Sequence, residues 1–257
     1  PNITRNDEEL RQANALFGSS WGASVFIGSA VGGLFAATFG RTATFVADIA
    51  TFVLCAALVA LIKVPLQERN AHAVREPIRP IADMREALHY AKENSVIFAL
   101  MASKTTQAVG AGAVGQLAVL AIDAFNTGDG GSGLLLAARG FGAAIGPFIF
   151  MRFVRNNMPR MLLLVGVGGL IWSSFYLVAS AIPMLWMAVI AIGAAHIGGG
   201  AIWTMASYGL QISTEDHIRG RVLAGDMGLA MLVTGLSSIV TGILGEIFPI
   251  RVAIALV

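Results

Sequence analysis

The sequence predicts an all-α polytopic membrane bundle. Three observations carry this: 56% of residues are apolar and only 12% charged, the mean hydropathy is +0.74, and apolar runs of helix-crossing length alternate with short charged connections. A soluble domain carries about 25% charged residues. Half that charge cannot wet the surface of a globule of 257 residues. A soluble enzyme, a secreted disulfide scaffold and a disordered chain are all poor fits. The single cysteine, Cys55, excludes an intrachain disulfide, and its place in an apolar run makes it a packing residue.

A helix needs roughly 20 apolar residues to cross a bilayer. Such runs fall at 18–39, 42–62, 95–122, 133–151, 161–181, 183–212 and 222–247, and an eighth begins near Ile250. Barrel strands would be half as long and would alternate apolar with polar, which these runs do not. The chain starts at Pro1 without a methionine or a signal peptide and stops at Val257 inside an apolar run, so a fragment of a longer chain is expected.

Charge orients the spans. Of the 17 basic residues, one set of connections holds Arg5 and Arg11; Lys63, Arg69, Arg75, Arg79, Arg85 and Lys92; Arg152, Arg155 and Arg160; and Arg219 and Arg221. The alternate connections hold only Arg41 and Arg251, and Lys104 and Arg139 lie within spans. This alternation places the first set in the cytoplasm. The net charge of +2 and pI of about 9.1 therefore express membrane topology. With no continuous basic face, no nucleic-acid partner is expected. The expected partners are the lipid bilayer and a small-molecule substrate.

The connections carry their own pattern. Residues 7–16 (DEELRQANAL) read as a cytoplasmic helix leading into the first span. Val64–Asn94 reads as a cytoplasmic linker with Pro65, Pro77 and Pro80, ending in an amphipathic surface helix over Ile81–Glu93 with Met84, Leu88 and Ala91 on one side. Three units follow: 1–63, the end of an N-terminal helical bundle; 64–94, the linker; and 95–257, a truncated C-terminal helical bundle. The run Gly128–Gly133 (GDGGSG) lacks the ending of a phosphate loop and reads as an outer turn. A faint repeat relates Asp7–Gly40 to Glu215–Pro249 at a shift of about 209 residues, the kind of parallel repeat found in secondary transporters.

Several segments together resemble the major facilitator superfamily, and within it the bacterial efflux branch that includes enterobactin-exporter-like and macrolide-efflux-like proteins. They are Leu10–Leu16 (LRQANAL), Gly28–Gly33 (GSAVGG), Met84–Tyr90 (MREALHY), Gly133–Pro147 (GLLLAARGFGAAIGP), and Gln211 followed by Arg219–Ala224 (RGRVLA). The resemblance implies a facilitator fold, truncated to about seven full spans plus the start of an eighth, corresponding to the family's helices five to twelve. It also implies a multi-pass protein of the bacterial inner membrane, monomeric when full-length, that moves a small molecule by alternating access. Proton-coupled efflux of an amphipathic drug-like or siderophore-like solute is the implied activity, with the transmembrane proton gradient as energy source and no cofactor. Two departures stand out: Gly28-Ser29 replaces the family's Gly-Pro, and Asn156 and Asn157 stand where an acid is expected.

Ionisable groups inside a bilayer cost about 2.5–3.5 kcal/mol each on insertion scales, so they face the bundle interior or water. Asp48, Lys104, Arg139 and His196 are the candidates. Helix rise puts Lys104 roughly 14 Å from the cytoplasmic end of its span and Arg139 roughly 10 Å from the outer end of the next, at similar depth. Two such cations need relief: an anionic substrate, Asp48, or an acid outside this stretch. They read as a substrate or coupling cavity, or as structural ion pairs. Gln107, one turn beyond Lys104, shares its face. Asp48 reads as a bond to a neighbouring helix or as a proton carrier, and His196 as a proton or substrate group or a packed histidine.

Gly28 with Gly32 and Gly142 with Gly146 are small-residue pairs that allow close helix packing or gating. Gly33 and Pro147 extend them. Arg219 and Arg221 read as cytoplasmic loop anchors. The histidines, at 72, 89, 196 and 217, are scattered, so no metal site is expected. No serine–histidine–aspartate triad or paired carboxylates in one span point to catalysis, so the chain does not read as an enzyme. Importers of the same fold, or a non-transporting membrane scaffold or receptor, are the alternatives.

Overall fold

A computed structural model describes residues 6–61, 79–154 and 157–257. Residues 64–78 of the expected linker, together with Arg5, Lys63 and Arg155, lie outside these. The described chain is helical throughout, with no strand, and seven helical segments are long and apolar enough to cross a membrane. Helix α1 (Asp7–Phe39) is followed by α2 (Arg41–Ala60), α3 (Pro80–Glu93) and α4 (Ser95–Gly110). Short pieces α5 (Gly112–Gly115) and α6 (Leu117–Val119) and a π-helical turn (Leu120–Ala124) continue the span of α4. Then come α7 (Gly128–Val154), α8 (Met158–Ala181), α9 (Leu185–Ser213), α10 (Asp216–Ile247) and α11 (Ile250–Ala255).

Helix starts follow side-chain chemistry. Asn6, Asn94 and Asn157 accept hydrogen bonds from the first free amides of α1, α4 and α8, the groups a helix cannot satisfy itself. The segment expected as a separate cytoplasmic helix over 7–16 is the first part of α1, because nothing between Asp7 and Phe39 breaks the ladder. The expected turn at GDGGSG is instead the opening of α7. The turn is at Asn126 and Gly128, where φ is positive, so only the first residue of that run takes part in it. The glycines after it serve contact: a Cβ at Gly133 would stand 2.8 Å from the Gly33 Cα.

Helix α7 is the spine, packed between α1 and α9. Its first face carries Gly133 and Gly140, where added Cβ atoms would strike the backbone of Gly33 and Phe26 on α1. Its second carries Gly142 and Gly146, pressed on Gly193, His196 and Ile197 of α9. Pro147 continues the helix and faces α1, where a Cβ on Gly18 would stand 3.5 Å from its Cγ. The pair Gly28 and Gly32 does not pack among the described residues: none lies within 4 Å of a Cβ built on either. Gly22 and Gly33 differ by about three helical turns and share the face turned to α7, so Gly28 and Gly32 project to its flank. Glycine contacts also join α8 to α9 at Gly168 and Gly198.

The third span is broken at Ala111 and Gln116, and α10 repairs the break. Ser237 Oγ accepts from the Gly112 amide at 3.1 Å and donates to the Val109 carbonyl. Groups freed from a helix inside a membrane must find such partners.

The two ends of the bundle differ. At the basic end, Arg11 donates to the Met151 carbonyl, and the Asn14 and Gln211 amides exchange hydrogen bonds of 3.2 and 3.1 Å. Helix α3 lies there against α10 and α4, burying Ala87 and Ala91, with Met84 and Leu88 partly buried beside them. Arg221 anchors it through Glu86 at 2.9 Å and Asp83 at 3.7 Å, while Arg219 holds the Thr214 carbonyl and Asp216. At the opposite end Arg41 pairs with Asp129 at 2.8 Å. There Arg251 donates to the carbonyls of Ser180, Ile182 and Ala124.

Candidate solute and coupling site

Two groups of ionisable side chains lie within the spans. The first is built on α4, α9 and α10. Lys104 Nζ stands 2.5 Å from Asp226 Oδ2, donates to Ser207 Oγ at 2.8 Å and lies 5.0 Å from the Trp203 ring centroid. Lys104 and Asp226 are only 2% and 3% exposed. The second oxygen, Asp226 Oδ1, is buried with no hydrogen-bond partner.

The second group is built on α1, α7, α8 and α9. Arg139 lies with its guanidinium carbon 5.2 Å from the Trp21 ring centroid. Its Nε is buried without a partner, and among the described residues it makes no ion pair. Behind it, Tyr176 Oη and His196 Nε2 share a hydrogen bond of 3.0 Å, and the Trp172 ring meets His196 edge-on at 4.5 Å. Both Tyr176 and His196 are within electrostatic reach of Arg139. Gln107, one turn beyond Lys104, lies beside Gly199 and Trp172, with its Oε1 buried and unpartnered.

The geometry rearranges the expected site. Lys104 has its counter-ion in Asp226 of α10, and neither in Asp48 nor in an acid outside this stretch. The usable signal was an acid roughly 15 Å into the helix beginning at Asp216. Asp48 joins neither group: it sits exposed on α2, none of whose residues is buried, and its side chain makes no bond among the described residues. Cys55 is exposed on the same helix, which among the described residues packs on α1 and reaches α7 through Arg41, so the cysteine is no core packing residue there. Lys104 and Arg139 are also not level. Lys104 reaches Ser207 and Arg139 lies near His196 on the same α9, roughly 16 Å apart along its axis.

No cluster of metal-ligating residues occurs among the described residues. Seven apolar spans, glycine-lined helix contacts and paired or solitary charges in the interior define a polytopic membrane transport protein. A family model described as "transmembrane secretion effector" matches residues 3–257. The chain belongs to that family and has the all-α fold of the major facilitator superfamily. No curated protein and no solved structure matched it.

Proposed function

We propose that this protein exports an amphipathic drug-like or siderophore-like solute by alternating access, driven by the proton gradient across a bacterial inner membrane. The family membership supports transport. The observation that carries coupling is the Lys104–Asp226 pair, a carboxylate within a span whose second oxygen has no partner. A purely packed bundle gains nothing from burying that oxygen, since an unmet acceptor in low dielectric costs free energy. A carboxylate shared between a lysine and a proton gives two states of the α4–α10 contact, and transport needs two.

In this reading, proton binding at Asp226 releases Lys104, and proton loss restores the pair. Helix α3 sits over the same part of α10, with Ala87 against Gly225, and links that contact to the basic end. Lys104, Gln107, Arg139 and His196 serve as cavity groups, and no enzymatic step or cofactor is involved.

The test is accumulation of a broad compound panel in cells expressing the full gene, with and without an uncoupler. Expression lowers accumulation of at least one compound, the uncoupler abolishes the effect, and Asp226→Asn abolishes it without loss of protein from the membrane. Raised accumulation would assign import instead. No change for any compound would refute transport of this kind.

A further inference from the structure

From Arg139 and its surroundings we infer a binding subsite for an organic anion: a solute bearing a carboxylate or similar oxyanion on an apolar, ring-containing body. The inference rests on the transport reading and names the chemical class of its cargo.

A guanidinium offers five donors in a planar fork matched to a carboxylate. Arg139 uses none of them in hydrogen bonds or ion pairs among the described residues, and its one polar-to-ring contact is Trp21. Five other arginines at the ends of the spans are engaged: Arg11 with Glu8, Arg41 with Asp129, Arg219 with Asp216, Arg221 with Glu86 and Arg251 with three carbonyls, while Arg152 and Arg160 are exposed at the helix ends. Arg139 is thus an uncompensated cation roughly 17 Å into α7, where such a charge is costly.

Its setting selects the rest of the ligand. Trp21 is half exposed beside the guanidinium and offers a flat apolar face. A ring stacked there would hold its acidic group against Arg139. Tyr176 and His196 occupy each other in a hydrogen bond and close the wall behind without adding a negative charge. No carboxylate of the described chain pairs with Arg139: Asp226 is held by Lys104 and Asp129 by Arg41, while Asp48, Asp123 and Glu246 are exposed and form no ion pair among the described residues.

The experiment is equilibrium binding of radiolabelled 1-naphthoate to the purified full-length protein, with 1-naphthamide as its uncharged counterpart. Saturable naphthoate binding is expected, weakened about tenfold or more by Arg139→Gln and partly kept by Arg139→Lys, with naphthamide binding unchanged by either. Trp21→Ala should weaken both compounds. If Arg139 instead pairs with a carboxylate elsewhere in the protein, Arg139→Gln lowers the melting temperature and leaves naphthoate and naphthamide equally affected, which overturns the inference. Absence of saturable naphthoate binding in the unmodified protein overturns it too. Failure of the accumulation assay with Arg139-dependent naphthoate binding intact would refute transport and leave the subsite standing.

Discussion

Lys104 and Asp226 form a contact whose energetics are asymmetric. Two buried charges recover most of their desolvation cost only while both are present, and removing one leaves the other stranded at a cost of about 3–5 kcal/mol. Lys104→Met or Asp226→Leu alone should therefore lower the thermal midpoint of the detergent-solubilised protein sharply. The double substitution, apolar on both sides, should recover most of the loss. Equal losses for the single and double variants would show that the pair contributes nothing as a pair. The lysine was legible in the sequence as an ionisable group inside an apolar run. Its partner was not, because pairing between α4 and α10 is a property of packing, and no local spacing connects residues so far apart in the chain.

Among the helices, the seam between α1 and α7 depends on missing side chains. A Cβ at Gly140 would lie 2.2 Å from the Phe26 amide nitrogen, whereas Gly28 faces open space. Gly140→Val should reduce the folded yield and melting temperature, by overpacking costs of about 1–3 kcal/mol or more. Gly28→Val should leave both unchanged. The repaired break in the third span makes a second prediction at this scale: Ser237→Ala strands the Gly112 amide and should cost about 1–3 kcal/mol, read as a lower melting midpoint with the fold retained. The spans themselves were readable from apolar run length, which depends on local composition alone. The break at Ala111–Gln116 lay hidden inside one of those runs, since several small residues weaken a helix without fixing where it gives way. Glycine spacing likewise announced close packing, but did not identify the facing helix, and so Gly28 and Gly32 were paired with no neighbour.

For the whole molecule, the positions of the basic residues and the fold agree on the alternation of the chain. Arg11, Met151, Gln211 and Arg221 gather at one end, and Arg41, Asp129 and Arg251 at the other. In a Cys55→Ser background, a membrane-impermeant maleimide applied to intact cells should label Thr127→Cys and spare Asn157→Cys and Asp216→Cys. The reverse pattern would invert the assigned orientation. The two glycine faces of α7 have a mechanical consequence. Gly140 meets α1 and Gly142 meets α9, two residues on and so about 200° around the helix. Any axial turn of α7 would swing a neighbouring side chain into one backbone or the other, and a slide of one turn would bring Leu136 or Ala144 to where Gly140 now leaves room for Phe26. The helix is keyed along its length as well as around it, so α1, α7 and α9 shift together as one block.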